Sequence, residues 1–210
     1  MCNLYSMNRT QDELRGLFAG RRVDDRLGNL GAGEEVYPDQ GAPIARVSGA
    51  DIVLQSARWG MPSPKQYHSK SGIDRGVTNI RNTASPHWRR WLGPEHRCLV
   101  PLTAFAEPLG RGRGNVWFRF PQDVTPMFAG IWVESWTSLR KLKDGETTDN
   151  LFAFLTTEPN AEVAEIHPKA MPAILTEPDE REIWLHAEWG EAKKLQRPLR
   201  DGVLRVGSPS

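Results

Sequence analysis

In Arg97-Cys98-Leu99-Val100-Pro101-Leu102-Thr103-Ala104-Phe105-Ala106-Glu107-Pro108, apolar residues run almost unbroken into a single carboxylate. A short apolar run bounded by turn residues reads as a buried strand, here Arg97–Leu102 with its continuation ending at Glu107. Further along, Val116–Phe120, Met127–Glu134 and Leu151–Thr157 are apolar or alternating runs of the same kind. Upstream, Ile44–Val47 and Asp51–Trp59 flank Ser48-Gly49-Ala50 as a hairpin, and Pro172–Leu175 is one more strand candidate. Helices are fewer. Thr10-Gln11-Asp12-Glu13 is a capping-box pattern ahead of Leu14, Leu17 and Phe18 and predicts a helix over residues 10–20. Pro86–Leu92 reads as a short helix with Trp88 and Trp91 on one face. Glu158-Pro159-Asn160 opens another to Ile166, and Pro178–His186 and Glu188–Leu195 read as terminal helices. Residues 21–42 are rich in Gly, Asp and Glu and read as an irregular loop; residues 63–78 read as a long surface loop. Strands outnumber helices and do not alternate with them. The expected fold is therefore α+β: a mainly antiparallel, barrel-like β core with flanking helices, in a single domain over residues 2–200 with a C-terminal tail at 201–210.

Composition narrows the function. The chain has 210 residues, 39% of them hydrophobic, enough for one sizeable core. A net charge of +1 excludes a histone-like or polyanion-coating protein, so any nucleic-acid contact must come from a local patch. The two cysteines lie far apart, and neither a Cys-x-x-Cys nor a His/Cys ligand cluster occurs, so no disulfide framework, metal or cofactor is expected. With no long apolar run, no membrane partner is expected. The expectation is a monomer in a reducing cytoplasm, associated with the nucleoid in a bacterium. Tryptophan is abundant, with eight residues, and several stand beside arginines. Arg58-Trp59 and the run Trp88-Arg89-Arg90-Trp91, with Arg81 nearby, mix cations and rings as single-stranded nucleic-acid sites do. Core tryptophans below a solvated arginine face would give the same pattern.

Four residues could carry chemistry. Cys2 follows the initiator Met, whose removal is expected because the second residue is small. An N-terminal cysteine presents an amine titrating near ~8 beside a thiol titrating near ~8.5, two nucleophiles on adjacent carbons. An aldehyde can condense with the amine to a Schiff base, after which the thiol closes a thiazolidine ring; a frayed, inert terminus is the plainer alternative. Asn79-Ile80-Arg81 places an amide and a guanidinium on one face of an extended segment, suited to a phosphate or polar reactive centre, or to an ordinary strand end. Glu107, at the end of an apolar run, can be raised in pKa by burial and act as a general acid or base, unless it turns to solvent. His167, at a helix exit between Ile166 and Pro168, can exchange a proton near neutral pH or be merely structural. Cys2, His167 and Glu107 could also serve as nucleophile, base and orienter of a cysteine peptidase. Cys98 reads as inert core packing, and Gly110-Arg111-Gly112-Arg113-Gly114 as a basic hairpin loop.

Taken in order, Cys2, Trp59-Gly60-Met61-Pro62, Asn79-x-Arg81, Arg97-Cys98-Leu99-Val100-Pro101 with Glu107, and Thr156-Thr157-Glu158 through Ile166-His167 to Met171-Pro172-Ala173-Ile174-Leu175 resemble the SOS-response-associated peptidase (SRAP) family of abasic-site processing proteins. The resemblance covers residues 2–186. It implies a mixed β fold with flanking helices and a protein that crosslinks covalently to abasic sites in single-stranded DNA, its expected partner. By the same resemblance Cys2 would form the thiazolidine, Asn79 would position the terminus and the sugar, and Arg81 would hold a flanking phosphate. Glu107 would assist proton transfer at the amine, and His167 would assist ring opening and release. Trp59 would wall the DNA channel; Trp88, Arg89 and Arg90 are further DNA-contact candidates from their mix of cations and rings. The chain departs from the common pattern at Asn3-Leu4-Tyr5, Pro108, Asn82-Thr83 and the longer His167–Pro172 segment.

Overall fold

The computed structural model describes residues 2–29, 34–110 and 112–207. The run from Arg97 to Pro108 is two strands rather than one. Arg97–Pro101 (β7) and Ala104–Pro108 (β8) belong to different sheets, and the chain turns between them at Leu102-Thr103. Pro101, with no N–H to give a ladder, closes β7 opposite Met127. The Thr103 amide already bonds to Ser6 in the second sheet.

The first sheet closes on itself. Gly41–Ser48 (β4) and Asp51–Trp59 (β5) form the expected hairpin, and β4 pairs with β7. Strand β7 pairs with Met127–Lys141 (β10), and β10 pairs with Gly145–Thr157 (β11). All these pairs are antiparallel, as are those of two short strands, Met171–Pro172 (β12) on β11 and Ile174–Leu175 (β13) on β10. A short parallel pairing, Leu151 with Arg58 and Phe152 with Trp59, then joins β11 to β5 and completes a five-stranded barrel. The barrel interior is aromatic: Phe128 stacks on Phe154 at 4.1 Å between centroids, and Phe154 stacks on Trp59 at 5.1 Å. Where β10 crosses β7, Gly130 lies opposite Cys98, and a Cβ on Gly130 would stand 2.8 Å from the Cys98 sulfur. Only glycine allows that approach.

The second sheet runs Arg205–Gly207 (β14), Asn115–Arg119 (β9), β8, Leu4–Met7 (β1) and Glu34–Val36 (β3), all antiparallel neighbours. Three strands across the two sheets depart from expectation. Strand β3, together with Val23–Asp25 (β2) on the edge of the barrel sheet, falls in the segment read as an irregular loop. Both are set by long-range partners, Tyr5 opposite Val36 and Ile52 opposite Val23, which local composition does not reveal. Strand β14 falls in the segment expected as a tail, whose last three residues lie outside the described part.

Helices are short. Gln11–Gly16 (α1) carries the capping box foreseen at Thr10 and Glu13, and Asn160 caps Ala161–Ala164 (α2) through the Val163 amide. Pro178–His186 (α3) covers the barrel wall, its Trp184 indole donating to the carbonyls of Cys98 and Gly130 at 3.0 and 3.1 Å. Trp189–Ala192 (α4) follows. The expected helix at 86–92 is a single 3-10 turn, Arg89–Trp91. The loop at 63–78 is pinned rather than loose. Buried Arg140 donates to the carbonyls of Gly60 and Asp74, and Asp74 accepts from Ser63 and the Gly76 amide. Gly76, at φ +73°, leaves room for that guanidinium, which a Cβ there would meet at 2.1 Å.

Gly130→Ala is expected to destabilise the fold by about 1–3 kcal/mol through overpacking, read as a lower denaturation midpoint with an unchanged slope. Adding Cys98→Ala, which removes the sulfur in the way, is expected to restore part of the loss.

Candidate active site

Strand β1 is the element that fixes Cys2. Its side chains alternate: Leu4 joins a small cluster with Ala104, Ala106 and Trp117, while Tyr5 enters the main core. The Tyr5 ring meets Trp59 and Phe128 edge-on, both at 5.3 Å. This insertion locks the N-terminal strand onto the barrel. Cys2, two residues ahead of Leu4, is therefore buried, with its sulfur 3.4 Å from the Leu4 carbonyl.

Three further residues converge on that point. Asn79 opens Asn79–Ile80 (β6), which runs parallel to β11 with Asn79 opposite Phe154. The Trp59 indole, donating to the Thr78 carbonyl at 3.0 Å, holds the approach to this strand. From there the Asn79 amide donates to the Cys2 carbonyl at 2.7 Å and to the Thr78 hydroxyl at 2.9 Å. Glu107 comes from β8, whose Ala106 lies opposite Leu4, and its side chain is fully buried. His167 follows α2, its amide bonded to the Val163 carbonyl. Its Nδ1 lies 2.7 Å from the Ala170 carbonyl and 3.9 Å from Glu107 Oε2. A carbonyl can only accept, so Nδ1 carries a hydrogen, and in the neutral ring the lone pair is on Nε2.

The electrostatics follow from burial. Desolvation pushes the Cys2 thiol far above its ordinary pKa, and the charge of Glu107 adds to the rise. At neutral pH the sulfur is a thiol, not a thiolate. Burial likewise raises Glu107, opposed by the positive amino terminus and by His167. A carboxyl raised by burial is a stronger base than a free one, a direction that suits general acid or base work. Cys98 is raised by burial alone and has no polar role to play. Among the described residues no group of three metal-ligating side chains is present.

The expected DNA-contact residues divide. Arg81, Arg89 and Arg90 are exposed. Arg81 reaches Glu158 at 3.2 Å, and Arg90 lies over the Trp91 ring at 3.9 Å. Trp59 offers no wall to a channel, because it is fully buried between Tyr5, Phe152 and Phe154. Trp88 is buried against His87 and Trp91 and presents no open face to a base. Gln196 was not foreseen. Its side chain donates to the carbonyls of Arg81 and Thr156 at 2.8 and 2.9 Å and accepts from the Thr83 hydroxyl at 3.0 Å. It thereby staples the Asn79–Arg81 segment to the end of β11. A lone glutamine more than a hundred residues away in sequence gives no signal of this.

A family model described as SOS response associated peptidase (SRAP) matches residues 1–206. No curated protein matches the chain. Among solved structures, a protein from Bacteroides thetaiotaomicron is similar with a TM-score of 0.72 and 24% identity, covering 98% of this chain and 90% of the other. A Bordetella bronchiseptica protein is similar with a TM-score of 0.67 and 20% identity over 100% of both chains. A phage-related protein of that organism reaches 0.67 at 18% identity, over 98% and 93%. At these identities the likeness concerns the fold.

Glu107→Gln tests the electrostatics. A buried carboxyl with a raised pKa costs stability above the carboxylate range, and a neutral amide does not carry that cost. The variant is expected to melt about 2–4 °C higher at pH 7, the shift that ~1 kcal/mol gives in a domain of this size. The gain should shrink as pH falls toward ~4, where glutamate is protonated in the unfolded chain as well.

Proposed function

This chain belongs to the SOS response associated peptidase (SRAP) family, and from that premise we propose that it captures abasic sites in single-stranded DNA as a covalent thiazolidine at Cys2. The observation that carries the reading is the convergence of Asn79, Glu107 and His167, from three separate elements, on a cysteine one residue from the start of the chain. Removal of Met1 would give Cys2 its own α-amine.

The amine acts first, because the buried thiol stays protonated. It adds to the ring-opened sugar aldehyde, and the carbinolamine loses one water to leave a C=N bond. Glu107 takes the proton from the amine and returns it to the departing hydroxyl. The sulfur then bonds to the former aldehyde carbon while its proton goes to the nitrogen, closing the five-membered ring. The overall balance is loss of one water. Ring closure is intramolecular, so proximity compensates for the thiol's weak nucleophilicity. Asn79, holding the Cys2 carbonyl, fixes the direction in which amine and thiol point. In this reading His167 handles the proton of the sugar ring oxygen. Arg81 meets a flanking phosphate by exchanging Glu158 for it, and an exposed pair of this kind is worth only ~0–1 kcal/mol. In this reading the protein works as a cytoplasmic monomer.

A peptidase using the same residues is less well supported. Such enzymes need a thiolate, and the Cys2 environment pushes its thiol the other way.

The test is intact mass after incubation with an abasic single-stranded oligonucleotide. The expected product is the chain without Met1 plus the oligonucleotide less one water, stable to heat. Cys2→Ser is expected to form only the hydrolysable Schiff base, and Cys2→Ala no heat-stable adduct. Equal crosslinking by Cys2→Ala would sink the mechanism.

A further inference from the structure

Beyond the barrel, β10 and β11 continue as a hairpin, and the 62–74 loop folds against its outer part. Between them lies a cleft of about 580 Å³, the size of a small-ligand pocket. It is separate from the cluster around Cys2, none of whose four residues lines it.

Three observations describe what would fit. One side is preformed: Asp74 lines the cleft and is buried, and the bonds that Asp74 and the buried Arg140 make to Ser63, Gly76 and Gly60 hold the loop in place. One wall is aromatic, made by the half-buried Trp136, which meets Trp91 edge-on at 5.8 Å. The cations at the cleft are available for a ligand. Arg90 is oriented by the rings of Trp91 and Trp136, at 3.9 and 5.4 Å, and neither Arg90 nor Lys65 has a carboxylate partner among the described residues. Arg81, by contrast, has Glu158. The exposed acid on this rim is Glu146. A flat aromatic group with an attached anion satisfies such a surface: the ring against Trp136 and the anion at Arg90 and Lys65.

We propose that this cleft is a nucleotide subsite that holds one residue of the DNA strand flanking the captured sugar. The proposal rests on the DNA reading of the Cys2 site. The spacing agrees with it: Trp136 pairs with Asp149 and Asn79 with Phe154, so five steps of β11, roughly 17 Å along the strand, separate the two sites. That is a span of a few nucleotides. The subsite would give the protein affinity for undamaged single strand next to the lesion.

The experiment is fluorescence anisotropy with a labelled intact oligothymidylate 12-mer, over a salt series, alongside crosslinking to an abasic oligonucleotide. Trp136→Leu is expected to weaken binding of the intact strand about fivefold or more, the loss of one base stack. Lys65→Gln, an exposed change that spares the fold, is expected to lower the salt slope by ~0.7, one phosphate contact on a single strand. If the native chain crosslinks and binds the 12-mer but both variants bind equally well with the same slope, the subsite is overturned and the Cys2 reading stands. If the native chain neither binds nor crosslinks, both fall. Free thymidine monophosphate competing as well as the 12-mer would show a mononucleotide pocket and overturn the strand assignment.

Discussion

The parallel contact between β11 and β5 is the constraint on which the rest depends. Two residue pairs, Leu151 with Arg58 and Phe152 with Trp59, turn an open antiparallel sheet into a closed barrel. Closure creates an interior narrow enough for Phe128, Phe154 and Trp59 to stack on one another. It also removes two sheet edges that would otherwise present unpaired backbone groups. The register of this one contact carries forward: with Phe152 opposite Trp59, Phe154 falls opposite Asn79, and the Asn79 amide is placed by the same strand that closes the barrel.

The aromatic interior then recruits the N-terminus. Tyr5 completes the cluster from outside the barrel, and the strand that carries it pairs with β8 on one side and β3 on the other. Cys2 is thus held by a buried tyrosine and two ladders, and it is one of the least accessible points of the molecule. Burial has an electrostatic consequence. It keeps the Cys2 thiol protonated and raises Glu107. Core packing and the protonation of the site here have one cause.

Much of the fold could be read in advance because its signals are local. The β4–β5 hairpin, the Thr10–Glu13 capping box and α3 are each specified by residues close in sequence. The strands β2, β3 and β14, and the outer hairpin of β10 and β11, were not legible. They carry polar residues and exist because a distant strand offers them hydrogen bonds. The same division separates Trp59 and Trp88 from the arginines beside them. Sequence adjacency to a cation suggested stacking platforms, and packing placed both rings inside.

By itself the sequence determined the residue types and their order: a cysteine at position 2, Asn79 and Arg81 two apart, Glu107 ending an apolar run and His167 after a short helix. That order sufficed to identify the family, since motifs are chemical identities at fixed spacing. Only the tertiary structure decided that Leu102-Thr103 divides one apolar run between two sheets, so that Glu107 comes beside β1. Only the tertiary structure brought Gln196 to the Asn79–Arg81 segment, and Trp136 to the cleft that Arg90 and Lys65 line. Barrel closure and long-range strand pairing set those distances, and neither leaves a trace in the local spacing of residues.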